Sequence, residues 1–296
     1  MNVASLAPRP VLAQLTVVIP TLGRAILAQS LGHIAAGDAW PGSLMVVDQG
    51  ASPQVAAWVE ALGAAGIEAV YVSSGQRGRA AGLNRGIERC RSRYVAITDD
   101  DCFVRPDWLA KMAAQLEAHP DAIVTGRVEA GGDKILLSVT ALQPKISRRP
   151  GLRFDPLSGG NMGLARAVLQ RIGPFDEHES VRTAEDGELA YRALRAGVSI
   201  VYAPEVAVTH HDWRDAGQRG RQYHDYARSQ GGFYGKYLRQ GDWFIAARLG
   251  VNYARAARRA LRGLLSGDGE LRRFGVAYLT GMPAGVWAGL RRRPAT

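Results

Sequence analysis

The segment Tyr94-Val95-Ala96-Ile97-Thr98-Asp99-Asp100-Asp101 decides how this chain folds. Its first part is short, apolar and β-prone, which predicts a buried strand. It then runs without a spacer into three carboxylates. Moving outward, Leu15–Ile19, Leu44–Val47 and Ala69–Val72 predict strands of the same kind. Each also stops at polar or turn residues: Pro20-Thr21, Asp48-Gln49-Gly50 and Ser73-Ser74-Gly75. Amphipathic stretches at 24–36, 53–65 and 79–92 predict helices between them. Strands alternating with helices make βαβ units, hence an α/β protein with a mostly parallel, Rossmann-like sheet flanked by helices. Ligands of such sheets bind beyond the carboxyl ends of the strands, where these polar residues gather.

Further along, 121–130 predicts another strand. Residues 131–156 are rich in Gly, Lys, Arg and Pro and are expected to form a mobile crossing segment. Helices are expected at 164–172 and 185–196, and strands at Val198–Tyr202 and Val206–Thr209. From 212 onward the pattern is helical and basic. The organisation is therefore an α/β domain over 1–215 and a basic helical extension over 216–296.

Length and composition suit a folded chain: 296 residues, 47% hydrophobic and 22% charged. The net charge of +10 is unevenly placed. Residues 1–211 carry 21 basic and 21 acidic residues, whereas 212–296 carry 16 and 6. Cys90 and Cys102 show no CxxC spacing, so neither a disulfide framework nor a zinc ribbon is expected. The start of the chain reads as no signal peptide, and a cytoplasmic protein, peripheral at the inner face of the cell membrane, is expected.

Two carboxylates on one side of an extended segment, Asp99 and Asp101, suit a hard divalent cation that also holds phosphate oxygens. The alternative is a solvated turn that caps the helix beginning near Pro106, although Asp107 can cap that helix itself. Thr183-Ala184-Glu185-Asp186-Gly187-Glu188 predicts the first turn of an amphipathic helix ending at Gly197. Its acids are either partners of the helix dipole or a general base presented at a helix start. Thr209-His210-His211-Asp212 follows a strand, and at most one of the two histidines is expected to join the aspartates. Arg214, Arg219 and Arg221 read equally as phosphate contacts or as a solvated face.

In this order the motifs resemble the family 2 glycosyltransferases, which have the GT-A fold. The resemblance covers residues 15–215. It rests on Val17-Val18-Ile19-Pro20-Thr21, Val46-Val47-Asp48, Gly82-Leu83-Asn84-Arg85-Gly86 and Asp99-Asp100-Asp101 with Pro106-Asp107-Trp108-Leu109. It continues through Gly159-Gly160-Asn161-Met162, Gly173-Pro174-Phe175-Asp176-Glu177, Glu185-Asp186 and His210. The resemblance implies an inverting transfer from a nucleotide sugar (UDP-, GDP- or dTDP-linked) to a hydroxyl of a glycan or lipid-linked acceptor. It implies Asp186 as catalytic base with Glu185 beside it. It implies Asp101 and His210, with Asp99 and His211, as ligands of Mn²⁺ or Mg²⁺. It implies Pro20, Thr21, Arg24, Asp48, Arg77, Asn84, Asp99, Asp100, Gly160 and Asn161 as nucleotide-sugar-binding residues. Gln49 stands where the family often has a second acid, and Gln76 where an Asn is common. A sugar nucleotidyltransferase would need a Gly-rich basic loop after the first strand, which Pro20-Thr21-Leu22-Gly23-Arg24 matches poorly. A non-catalytic sugar-nucleotide-binding membrane adaptor is the remaining alternative.

In the extension, Arg248, Arg255, Arg259 and Arg262 share one helical face, and Trp243, Ala247, Val251, Ala254, Leu261 and Leu265 share another. Such a helix suits an anionic membrane surface, or packs its apolar face inward and leaves its arginines in water. Phe274 to Leu290 is free of charge but broken by Gly and Pro, too short to span a bilayer and able to dip into one leaflet. No nucleic-acid-binding signature accompanies the basic residues.

Overall fold

The computed structural model describes residues 7–131, 139–153, 155–211 and 216–292. Arg214 and part of the 131–156 crossing segment lie outside these residues, and so does the side chain of Arg219. The chain forms two compact units: 1–149, 156–175 and 192–213 in the first, and 150–155, 176–191 and 214–296 in the second. The helical unit thus takes in two segments from within the expected α/β domain.

In the first unit, β1 (Val11–Thr21), α1 (Leu27–Ala35), β2 (Trp40–Asp48), α2 (Pro53–Ala64), β3 (Ala69–Ser73), α3 (Arg79–Ile87) and β4 (Tyr94–Thr98) follow the expected alternation. Then come β5 (Cys102–Val104), α4 (Trp108–Ala118), β6 (Ile123–Ala130), β7 (Lys145–Ser147), β8 (Asn161–Ala165), α5 (Arg166–Ile172) and β9 (Ile200–His210). Among the described residues these strands make one sheet in the order β3-β2-β1-β4-β8-β6-β9-β5, with β7 also on β9. β3, β2, β1 and β4 are mutually parallel. Beyond β4, the β8, β5 and β7 pairings are antiparallel, and only β6 with β9 is parallel.

The parallel half is buried on both sides, so its strands read as continuous apolar runs: Val17, Val18, Ile19, Leu44, Val46, Val95, Ala96 and Ile97 are inaccessible. Helix α3 lies close on this half because Gly86 has no side chain. A Cβ there would stand 2.6 Å from Val18 Cγ1. The strand order reverses between β1 and β4, which puts a topological switch point at Thr21 and Asp99.

The sequence places a helix from 164 and two strands at 198–209. The structure has strand β8 over Asn161–Ala165, and a single β9 with an irregularity opposite Gly126/Arg127. The run 161–165 is poor in β-branched residues. It is a strand because β4 and β6 flank it on both edges.

In the second unit, a 3₁₀ turn (Glu179–Val181) precedes α6 (Glu185–Arg195), whose last turn is counted with the first unit. Then come α7 (Ala216–Leu238), α8 (Trp243–Leu265) and α9 (Gly269–Leu290). Val181, Tyr191, Phe233, Tyr234, Tyr237, Ile245 and Met282 form the core. Helices α7 and α9 meet backbone to backbone. A Cβ on Gly285 would stand 1.8 Å from the Arg228 carbonyl oxygen, and one on Gly235 2.2 Å from that of Val286. The glycines that interrupt the apolar run 274–290 are thus its packing face, and this run is the partner of α7.

Helix α8 is turned about relative to the expectation that its arginines face outward. Arg248 is 1% exposed and donates to Asp155 Oδ2 at 2.6 Å, with its guanidinium over the Phe233 and Tyr234 rings. Arg255 donates to the Arg153 carbonyl, and Arg259 lies over Phe274. Trp243, Leu261 and Leu265 face water, at 84%, 58% and 78% exposure. The inward arginines have partners in 150–155 and on α7 and α9, which the periodicity of α8 alone does not reveal. No helix among the described residues is long and apolar enough to cross a membrane.

Candidate active site

Asp99 to Cys102 is not extended. The Cys102 N–H donates to the Asp99 carbonyl at 3.1 Å, which closes a β-turn between β4 and β5. The turn sends its three carboxylates in different directions, although Arg24 lies near both Asp100 and Asp101. Asp99 Oδ1 accepts from Arg79 Nε at 2.7 Å. Asp100 accepts from the Thr21 hydroxyl at 2.7 Å and from Arg24. Asp101 Oδ1 lies 3.5 Å from His210 Nε2. Burial pushes the Asp100 carboxyl up, and the Arg24 guanidinium restrains the rise.

Strand β5, which is too short to be legible in the sequence, delivers the histidine. Cys102 sits opposite His210 in the β5–β9 ladder, and the His211 N–H donates to the Asp101 carbonyl at 2.9 Å. His211 points elsewhere. Its ring lies 4.1 Å from that of Phe103, which stacks in turn on His33, and burial lowers its basicity. The structure therefore brings one histidine to the aspartates and leaves His211 in an aromatic stack.

Ligand atoms of Asp99, Asp101 and Cys102 lie within 4.8 Å of one another. Burial, then the two aspartates, pushes the Cys102 thiol well up, so at neutral pH it is protonated. The remaining donors are carboxylates with an imidazole beside them, a set that fits a hard divalent ion such as Mn²⁺ or Mg²⁺. Gly160 lets the backbone close over this turn. A Cβ there would stand 2.9 Å from both Asp99 Oδ2 and Cys102 Sγ. Arg79 ties the same loop down through the Gly159 carbonyl at 2.7 Å.

Thr21, Arg24, Asp99, Asp100, Asp101, Gly160 and His210 thus belong to one region of the first unit, while Pro20 packs towards α3, its Cβ 3.0 Å from where a Cβ on Gly82 would stand. Other expected ligand residues are engaged in the fold. Asp48 is fully buried and accepts from the Gly50 and Ser52 N–H groups and the Tyr71 hydroxyl. Asn84 exchanges two hydrogen bonds with the Phe175 backbone. Asn161 donates to the Arg127 and Val206 carbonyls and accepts from the Trp108 indole, so its carboxamide holds the strands together. Arg77 is exposed. Of Arg77 and Arg79 it is Arg79 that meets the acidic turn, beside Arg24, and the sequence signal for it is its place at the first position of a helix following a glycine. Gln49 donates to the Gln76 and Gly78 carbonyls at 2.6 and 2.8 Å, a task no carboxylate can perform, which accounts for an amide in place of a second acid.

Glu185 and Asp186 open α6 in the second unit. Glu185 is buried and Asp186 half-buried. Behind them, Asp155 Oδ2 lies 3.1 Å from where a Cβ on Gly187 would stand. Burial raises the Asp155 carboxyl, Arg248 opposes the rise, and Asp186 adds to it. Glu188 is inaccessible and accepts from Lys236 and Tyr237. Arg221 is exposed on α7.

A parallel half-sheet with carboxylates at its switch point, extended by antiparallel strands that carry a histidine back to them, defines a GT-A glycosyltransferase fold. Residues 13–224 match the family described as "Glycosyltransferase like family 2", and the chain belongs to that family. Among curated relatives, it is 26% identical over 147 residues to the pre-mycofactocin glycosyltransferase of Mycobacterium tuberculosis, covering 47% of this chain and 31% of the relative. It is 28% identical over 149 residues to glycosyltransferase AglE of Haloferax volcanii, covering 48% and 47%. The match spans less than half the length of either relative. Among solved structures, it resembles the mannosyltransferase PcManGT of Pyrobaculum calidifontis in complex with GDP-Man and Mn²⁺, with a TM-score of 0.63, 17% identity and coverage of 97% and 89%. It also resembles residues 1–349 of S. aureus TarS in complex with UDP-GlcNAc, with a TM-score of 0.56, 15% identity and coverage of 90% of each chain.

Proposed function

We propose that this protein is an inverting, metal-dependent glycosyltransferase that moves a hexose from a nucleoside-diphosphate sugar to a hydroxyl of a glycan or lipid-linked acceptor. The observation that carries the reading is the acidic turn at the switch point, where Asp99 and Asp101 bring carboxylate oxygens within 4.8 Å of each other and His210 lies 3.5 Å from Asp101. Asp101, His210 and Asp99 would hold Mn²⁺ or Mg²⁺. When bound, such an ion supplies positive charge to the diphosphate leaving group. Thr21 and Arg24 set the β1 end of the site through Asp100. Gly160 lets its loop pack directly against Asp99. Asp186 takes the proton of the acceptor hydroxyl as it attacks the anomeric carbon, and inversion requires only that one base. The solved relatives hold GDP-Man with Mn²⁺ and UDP-GlcNAc, which supports a nucleotide-sugar donor without selecting the nucleotide.

The test is a melting-temperature screen of the full chain against UDP, GDP and dTDP, with Mn²⁺ or with EDTA. One diphosphate is expected to raise the melting temperature in Mn²⁺ only, and Asp101→Asn is expected to remove the effect. No response to any nucleotide in Mn²⁺ would overturn the reading.

A further inference from the structure

The inverted setting of α8 leaves an apolar stripe on the outside of the helical unit. At 3.6 residues per turn, Trp243, Ala247, Ala254, Leu261 and Leu265 fall within about 40° of one another. All are exposed, whereas Ile245, Arg248, Asn252, Ala256 and Gly263 on the opposite side are buried. A helix that turns arginines inward and leucines outward needs something apolar to cover it.

The charges beside the stripe say what covers it. Arg258 and Arg262 flank it on α8, and Arg272 and Arg273 are exposed on α9 near the α8–α9 turn. The α8 and α9 backbones touch there, since a Cβ on Gly263 would stand 2.4 Å from the Arg272 nitrogen. The two acids of this corner, Asp268 and Glu270, are outnumbered by the four arginines. Asp268 caps α9 by accepting from the Glu270 and Leu271 N–H groups, and Glu270 accepts from the Tyr223 hydroxyl. A second copy of the chain laid on this face would set arginine against arginine. The geometry points to a bilayer with anionic headgroups. Trp243 and the leucines at the other end of α8 enter the interface, and the four arginines meet lipid phosphates. This assigns the membrane contact to the face of α8 opposite Arg248. It extends the transferase reading by naming a partner, and it depends on that reading only for its purpose.

The experiment is co-sedimentation of the full chain with phosphatidylcholine vesicles, with and without phosphatidylglycerol. The comparison variants are Leu261→Asp with Leu265→Asp, and Arg258→Gln with Arg262→Gln. All four side chains are exposed, so melting temperatures are expected to match the parent. The parent should pellet with anionic vesicles, the leucine variant should bind at least about tenfold more weakly, and the arginine variant should lose its preference for anionic lipid. Overturning results are a parent that stays in solution with anionic vesicles, a leucine variant that pellets as well as the parent, or a dimer in solution that the leucine variant dissociates without any lipid binding. The nucleotide-dependent melting shift of each variant should equal the parent's. A missing nucleotide response with intact lipid binding therefore counts against the transferase reading alone.

Discussion

Replacing Gly285 with alanine should loosen the helical unit. The added Cβ would stand 1.8 Å from the Arg228 carbonyl oxygen and 2.8 Å from the Gly232 nitrogen. Ordinary contact begins near 3.4 Å, so α9 would have to withdraw about 1.6 Å from α7 at this level. The atoms on both sides are backbone, and no rotamer change relieves the clash. Overpacking of this kind costs about 1–3 kcal/mol, and a displacement of this size lies at the upper end. Alanine's better helix propensity returns about 1 kcal/mol, which leaves a net loss of about 2 kcal/mol. Gly250 provides the matched control, since it is exposed, lies within α8 and has nothing within 4 Å of where a Cβ would stand. There the same change should stabilise by about 0.5–1 kcal/mol. Calorimetric melting of the two variants side by side checks the argument. A Gly285→Ala protein as stable as Gly250→Ala would refute the close approach of α7 and α9.

Three further outcomes are expected. Asp186→Asn should keep the nucleotide-dependent melting shift and lower transfer by about 10²- to 10⁴-fold, measured as product formed from the donor identified in the screen. Asp155→Asn leaves the Arg248 guanidinium inside without its counter-charge. Breaking a buried pair costs about 3–5 kcal/mol, and because Asp155 is partly exposed the value should be near 3, read from denaturant unfolding. Burial tends to raise the Asp176 carboxyl, but hydrogen bonds from Arg292 and Lys236 outweigh it and hold the group far below its ordinary value. The folded state therefore resists protonation there. The stability this contributes is present above about pH 4 and is lost as the pH falls below it, so Asp176→Asn should flatten the melting temperature between pH 5 and pH 2.

The parallel half of the sheet was legible because its strands are buried on both faces and so announce themselves as unbroken apolar runs. Tyr94–Thr98 is found where the sequence puts it. Strands β5, β7 and β8 were not legible, since three residues carry no periodicity and Asn161–Ala165 has no β-branched residue. Their neighbours in the sheet define them. In the site, the acids stood out by position, but the extended geometry expected for Asp99 and Asp101 gives way to a turn, and the partners of that turn come from β1, α3 and β9. Arg79 and Gln49 act through contacts about 20 to 80 residues away in sequence, which spacing does not encode. Helix α8 shows the same limit, because its amphipathic pattern defined two faces but not which one lay inside.

The turn at Asp99–Cys102 has a consequence for how this protein tolerates change. Three chemically identical side chains acquire different tasks from their order alone: the first faces Arg79, the second Thr21 and Arg24, the third His210. Inserting one more aspartate would leave the local composition as acidic as before, yet it would hand each carboxylate the address of its neighbour. The vulnerability of this stretch therefore lies in its count as well as its chemistry, because a shift in length should disturb all three carboxylates at once where a substitution disturbs one.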